Sequence, residues 1–231
     1  MKLDQIRWDE VNASIHENGF AVISKVLDKE ECERIIALYA DETHFRKRIV
    51  MERYRFGLGE YKYLQYPLPD SIARLRKYFY GHLFDIANDW NNKLNAQLTF
   101  PTSHEEFIEL CKINGQSLPT PLILKYGEGG HNTLHQDLYG DIYFPLQAVV
   151  FLNEPGRDYT GGEFVLTEQI PRAQSKAIVL QPSQGDILIF TTQTRPKKGS
   201  RGYYRVNMKH GVSAVRKGNR HVLGIIFHDA K

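Results

Sequence analysis

Beyond Pro119 the chain loses helical periodicity and becomes a series of short apolar runs cut by Gly, Pro and Asn. Residues 122–126, 146–152, 162–166, 176–180 and 186–190 are rich in β-branched and aromatic side chains and too short for helices, so each predicts a strand. Residues 133–138, 203–215 and 220–228 read the same way, with Lys217-Gly218-Asn219 as a hairpin turn between the last two. About eight antiparallel strands of this length predict a double-stranded β-helix, the jelly roll. The fold class expected is therefore mainly β, with helices at the N-terminal end.

The helices are confined to the first half. Ile6, Val11 and Ile15 recur at helical spacing before Gly19, and residues 20–23 form a short strand. Asp28 with Glu31 opens a helix running to about Ala40 and burying Cys32, Ile35, Ile36 and Tyr39. Residues 70–94 carry one apolar face, and Ser103 with Glu106 caps a further helix through Ile113. Residues 41–69 keep no period and are punctuated by Gly57, Gly59, Pro67 and Pro69, which suits a lid or a substrate-facing loop. No linker interrupts the chain, so residues 1–231 read as one domain, 1–118 as helical support and lid and 119–231 as the jelly-roll core.

With 42% apolar and 25% charged residues, wholesale disorder is excluded. Cys32 and Cys111 stand far apart, which excludes a zinc ribbon or disulfide framework and suits a reducing compartment. The first residues are too charged for a signal peptide and no apolar run reaches membrane-spanning length, so a cytoplasmic protein without a membrane partner is expected. The net charge of +3 is unevenly placed. Residues 191–220 include Arg195, Lys197, Lys198 and Arg201 and no carboxylate, while Arg46, Lys47, Arg48, Arg53 and Arg55 are interleaved with Tyr54, Phe56, Tyr61 and Tyr63. Either cluster alone reads as solvated surface. Two, both with aromatics, point to a polyanionic partner, DNA or RNA, with Arg53, Arg55, Tyr61, Tyr63, Arg195, Lys197, Lys198 and Arg201 as candidate substrate contacts.

One triplet carries metal chemistry. In His135-Gln136-Asp137 an imidazole and a carboxylate two residues apart share one face of a strand. One further His would complete the two-His-one-carboxylate face that holds non-haem Fe(II) with positions open. His16, His44, His82 and His104 lie in the helical half, and Gly129-Gly130 disfavours the helix that would bring His131 round, leaving His210, His221 and His228. His210 is followed by Gly211, which leaves room beside a metal, and Arg220 opens the next strand, where a guanidinium can grip a carboxylate with both arms. His221 should face opposite Arg220, and His228 lies at the strand's far end.

The ordered set Tyr126, His135-Gln136-Asp137, Gly161-Gly162-Glu163-Phe164, Pro182, Gly185-Asp186, His210 and Arg220 resembles the 2-oxoglutarate- and Fe(II)-dependent oxygenases. The stretches 144–148, 162–169 and 205–213 are similar to the bacterial Oxygenase-NA group, AlkB-like enzymes acting on damaged nucleic acid. The resemblance implies that His135, Asp137 and His210 bind iron, that Arg220 binds the far carboxylate of 2-oxoglutarate, and that Tyr126 touches the same co-substrate. It also implies Fe(II), 2-oxoglutarate and O2 as cofactors and oxidative demethylation of alkylated bases as the reaction, with succinate, CO2 and formaldehyde as products. Leu124 stands where AlkB-like enzymes carry Asn, and the interval from His210 to Arg220 is nearer to that of prolyl hydroxylases. A protein or small-molecule hydroxylase is accordingly the second reading, and a cupin-like binding module without redox activity the third.

Overall fold

The computed structural model describes residues 1–231. Its first half contains four α-helices, α1 (Trp8–Asn18), α2 (Lys29–Leu38), α3 (Asp70–Lys93) and α4 (His104–Ile113), and four strands, β1 (Phe20–Ile23), β2 (Phe45–Val50), β3 (Gly57–Leu58) and β4 (Glu60–Leu64). The second half is all strand: β5 (Leu122–Tyr126), β6 (His131–His135), β7 (Leu146–Phe151), β8 (Tyr159–Gly161), β9 (Phe164–Gln169), β10 (Lys176–Leu180), β11 (Ile187–Thr191), β12 (Thr194–Gly199), β13 (Gly202–Val212), β14 (Val215–Gly218) and β15 (Arg220–Ile225). No helix is long and apolar enough to cross a membrane.

The helix ends follow local chemistry. Asp28 accepts the Glu31 amide and Glu31 returns a bond from the Asp28 amide, a complete capping box at α2. At α4 the Ser103 hydroxyl accepts from the Glu106 amide without the reciprocal bond. Gly19 ends α1 at φ +80°, a left-handed conformation suited to glycine.

Two sheets face one another. The larger runs β1-β11-β7-β15-β5-β4-β2 and the smaller β10-β9-β13-β6-β3, with β12 completing a long hairpin against β13. In β7 every residue is buried, because alternate side chains serve two cores. Ala148 and Val150 pack with α3 and the other helices, while Val149 and Phe151 point between the sheets, where they meet Phe164, Leu166, Val206 and Met208. This period-two division makes 146–152 a continuous apolar run and accounts for the helices covering one sheet only.

Three expectations need correction. Residues 45–64 are not simply a lid: β2 and β4 extend the larger sheet beyond β5, and β3 pairs with β6 at the edge of the smaller one. In β4 charged and aromatic residues alternate, and even the charged side is partly covered, with Lys62 buried and donating to the Tyr39 carbonyl at 2.8 Å. The last two strands do not form a hairpin through Lys217-Gly218-Asn219: β14 pairs with β8 in a separate two-stranded sheet, and β15 lies between β5 and β7 in the larger one. The third concerns Gly211. A side chain there would come within 2.7 Å of the Asn132 carbonyl, so the room it leaves is used by the backbone of β6 where the ladder is irregular.

Candidate active site

Strand register sets the site. His210 on β13 is the direct partner of His135 on β6, and their rings lie 4.1 Å apart. Side chains directly opposite in an antiparallel pair share a face, so the pairing alone brings the two imidazoles together. β6 ends at His135, and Asp137 lies beyond it in irregular backbone, not on the strand. Its carboxylate nevertheless turns back, with Oδ2 3.2 Å from His210 Nε2 and Oδ1 3.6 Å from His135 Nε2. The three side chains offer ligand atoms within 4.8 Å of one another, an arrangement that can hold one metal ion.

The two imidazoles are held differently. His135 Nδ1 lies 2.7 Å from the Thr133 carbonyl, which can only accept, so Nδ1 carries the proton and Nε2 presents its lone pair. His210 is clamped by aromatic rings, stacked on Phe164 at 5.9 Å and edge-on to Phe190 at 4.8 Å, and its buried Nδ1 has no partner. Burial and the neighbouring His210 push the His135 imidazole below its ordinary value, against the pull of Asp137. Burial alone would raise the Asp137 carboxyl, but attraction to His210, the bond between them and the nearby His135 outweigh it and hold the carboxyl far below the usual range. Two imidazoles beside an ionised carboxylate form the donor set that a divalent metal takes.

A second register places the other end. Arg220 on β15 is the direct partner of Tyr126 on β5, and both are wholly buried. Arg220 is ringed by Tyr126 and Phe151 at 5.5 Å and Tyr159 at 5.9 Å, while its Nε, Nη1 and Nη2 have no hydrogen-bond partner. A buried guanidinium with no counter-ion is costly unless an anion occupies the space before it. Tyr126 accepts from the Asn132 amide at 3.4 Å, so its own O–H remains to donate, and burial pushes that phenol up to about 12 despite Arg220. A cavity of about 230 Å³ runs between the sheets, with His135, Asp137 and His210 lining one part and Tyr126 and Arg220 another. That is room for several waters or a short dicarboxylate.

Other candidate contacts fall in different places. Arg53 and Arg55 are exposed and make no ion pair, beside an exposed pair of stacked rings, Tyr54 and Phe56, 5.5 Å apart. Phe56 lines the cavity, and its carbonyl accepts from both the amide and the hydroxyl of Thr133, so this segment rims the mouth. Tyr61 lines the cavity wall, but Tyr63 is buried behind it and cannot stack on an exposed base. Arg195 is also buried and bonded to Glu168, which Lys197 shares at 2.8 Å, so neither is free for a phosphate. Lys198 and Arg201 are exposed near the tip of the β12–β13 hairpin; Tyr203, opposite Lys198, stands seven residues before His210, a strand distance of about 23 Å.

Residues with no warning in the spacing complete the site. Tyr139 donates to Asp137 Oδ1 at 2.7 Å, and Phe151 and Tyr159 flank Arg220. His221 faces away and bonds Asn153, and His228 accepts from the Phe144 amide; neither joins the triad.

A family model described as "Oxygenase, catalysing oxidative methylation of damaged DNA", named Oxygenase-NA, matches residues 59–230. The Uncharacterized protein Rv2227 of Mycobacterium tuberculosis (strain ATCC 25618 / H37Rv) is 46% identical over 164 residues, covering 71% of this chain and 70% of that protein. Among solved structures, a Trichoplax adhaerens prolyl hydroxylase in complex with a hypoxia inducible factor oxygen degradation domain peptide fragment superposes with a TM-score of 0.55 at 13% identity, covering 98% of this chain and 94% of that one. A Burkholderia pseudomallei oxidoreductase of the 2OG-Fe(II) oxygenase family gives 0.53 at 15% identity, covering 98% and 93%. At such identities the structural likeness is one of fold, the jelly roll expected from the strands.

Proposed function

The chain belongs to the Oxygenase-NA family of 2-oxoglutarate- and Fe(II)-dependent dioxygenases, and from that membership we propose that it removes alkyl groups from nucleic-acid bases by oxidation. Its cofactors are Fe(II), 2-oxoglutarate and O2. In this reading His135, Asp137 and His210 hold the iron, and Arg220 with Tyr126 holds the distal carboxylate of 2-oxoglutarate. The observation that carries the assignment is the guanidinium of Arg220, buried with every nitrogen unpartnered, lining the same cavity as the triad.

The residues fit both groups. Two imidazoles and one ionised carboxylate suit a divalent iron, and a fork of donors suits a carboxylate taken up with both oxygens. When bound, iron and 2-oxoglutarate together supply the oxidation of a substrate C–H bond, and an N-methyl carbon so hydroxylated leaves as formaldehyde. The chain supplies orientation and dryness. Tyr126 and Arg220 fix the far end of the co-substrate, and the rings of Phe164, Phe190 and Phe151 keep water from the inner wall.

Support for a nucleic-acid substrate comes from the rim. Tyr54 and Phe56 offer an exposed, already stacked aromatic face, and the unpaired Arg53 and Arg55 flank it, the combination that binds bases and phosphates of single strands. Leu58, Leu134 and Leu138 are also exposed at or near this rim, and these favour a second reading, hydroxylation of an apolar peptide segment.

The experiment is to measure succinate and formaldehyde across methylated single- and double-stranded oligonucleotides and peptides, with His135→Ala as the blank. Formaldehyde from an oligonucleotide, with affinity falling as salt rises by about 0.7 in log–log slope per phosphate held, is expected. Succinate formed only with peptides would refute the demethylase reading.

A further inference from the structure

The three side chains of the triad are supported in three different ways. His135 is fixed by a backbone carbonyl and His210 by the faces and edges of two rings. Asp137 depends on another side chain: the Tyr139 hydroxyl donates to Oδ1 at 2.7 Å, leaving Oδ2, 3.2 Å from His210 Nε2, as the oxygen without that partner. No ladder holds Tyr139 in place, because residues 136–139 lie past the end of β6. One backbone bond, from the Lys231 amide to the Tyr139 carbonyl at 3.3 Å, and several side chains do so instead. The Gln136 amide donates to the Met208 carbonyl at 2.8 Å, and Tyr63 stands edge-on to the Tyr139 ring at 6.2 Å. The His228 ring lies 6.2 Å away, and Arg46 covers Tyr63 at 4.6 Å. β4 and the chain's C-terminal end thus converge on one phenol.

We infer that Tyr139 is a positioning residue that keeps Asp137 a one-oxygen ligand and so keeps open a coordination position that a chelating carboxylate would close. This rests on the reading of His135, Asp137 and His210 as the metal site. Carboxylates bind divalent ions through one oxygen or both, and a two-His-one-carboxylate centre is useful only while its remaining positions stay free. A keto acid that chelates occupies two of them and dioxygen needs another. A phenol donating to Oδ1 is a charge-assisted bond that competes with the metal for that oxygen, enough to favour the one-oxygen arrangement by about tenfold or more. Partners of this kind tune metal sites as strongly as some ligands do.

The test uses the full chain loaded with Mn(II), which fills such a site in place of Fe(II). Water-proton relaxation is expected to count about three exchangeable waters on Mn(II) in the parent protein and about two in Tyr139→Phe. The affinity of the Mn(II) protein for 2-oxoglutarate is expected to weaken about tenfold in that variant, since the keto acid must then displace a carboxylate oxygen. Tyr143→Phe removes a hydroxyl that bonds Gln193 and not Asp137, and is expected to keep the parent's water number. An equal fall in Tyr143→Phe would indicate general loosening and overturn the inference. A measurement on the parent alone covers the case in which Tyr139→Phe does not fold: the infrared difference spectrum on Mn(II) binding, assigned through Asp137→Asn, is expected to show the stretching pattern of a one-oxygen carboxylate, and a chelating pattern overturns the inference. A parent that takes up no Mn(II) overturns the metal-site reading beneath it. A parent that binds Mn(II), with Tyr139→Phe matching it in water number and 2-oxoglutarate affinity, overturns only the role of Tyr139.

Discussion

Replacing Arg220 with Met should make the protein more stable alone and less stable with its co-substrate. Arg220 is 1% exposed, its three nitrogens are unpartnered, and no carboxylate pairs with it. The desolvation penalty of such a charge is several kcal/mol. The rings of Tyr126, Phe151 and Tyr159 return about 0.5–2 kcal/mol each, which offsets only part of it. Met fills much the same volume among those rings without the charge, so the protein free of 2-oxoglutarate should gain about 2 kcal/mol, or about 4–8 °C in Tm for a domain of this size. The balance reverses on adding ligand. At 2-oxoglutarate one hundred times its Kd, with Mn(II) present, the parent gains about 2.7 kcal/mol. Truncating one partner of a buried charged pair costs about 2–5 kcal/mol of binding, so the same concentration should stabilise Arg220→Met by less than about 1 kcal/mol. Thermal melts of both proteins, with and without 2-oxoglutarate, read this crossing directly. A variant that loses several kcal/mol by itself, or responds to 2-oxoglutarate as the parent does, would refute the argument.

Three further outcomes follow from other parts of the structure. Gly162 has φ +63°, and a side chain there would come within 2.9 Å of Val215 Cγ2 and 3.0 Å of Arg220 Cδ, so Gly162→Ala should weaken 2-oxoglutarate binding about tenfold or more, read by titration of the Mn(II) protein. Glu168→Ala leaves Arg195 buried without its partner and should cost about 3 kcal/mol in urea melts, whereas Arg201→Ala at the exposed hairpin tip should stay within about 0.5 kcal/mol. Burial, with the Arg76 charge second, holds His104 and His228 down to about 3, so both stay neutral in the folded protein while the unfolded chain takes up protons below about pH 6.5. Stability should therefore fall with pH through this range, by about 2 kcal/mol per histidine between pH 7 and pH 5, and a flat denaturation midpoint over that interval would contradict the burial seen here.

Much of the fold was legible because its signals are local. The capping box at Asp28, the apolar face of α3 and the short runs of the second half each report on a few neighbouring residues, and each element formed close to where its pattern placed it. Within 41–69, read as a lid or loop, β2 and β4 went unseen because each is short and broken off by Gly57, Gly59 and Pro67, and the aromatic side of β4 is dry only once β5 lies beside it. The turn at Lys217-Gly218-Asn219 failed for a related reason. A hairpin signal predicts that the chain bends, and here it bends from the two-stranded β14–β8 sheet into the larger one.

The candidate site divides along the same line. The residue types alone determined its chemistry: two imidazoles and a carboxylate for a divalent metal, and an arginine for a carboxylate. Register decided whether they meet, through His210 opposite His135 and Arg220 opposite Tyr126, and a shift of one residue in either pairing would have turned the side chains to opposite faces. Packing decided which cations are free. Arg195 and Lys197 looked like Arg53 and Arg55 in the sequence, but Glu168 claims the first two and nothing claims the others. The Tyr139 bond to Asp137 spans only two residues, but no periodicity describes its irregular backbone, and Tyr63, His228 and Lys231, far along the chain, pack or bond against Tyr139. Composition and spacing set which groups the chain carries; which of them meet, and which stay unpaired, is set by contacts between residues far apart along it.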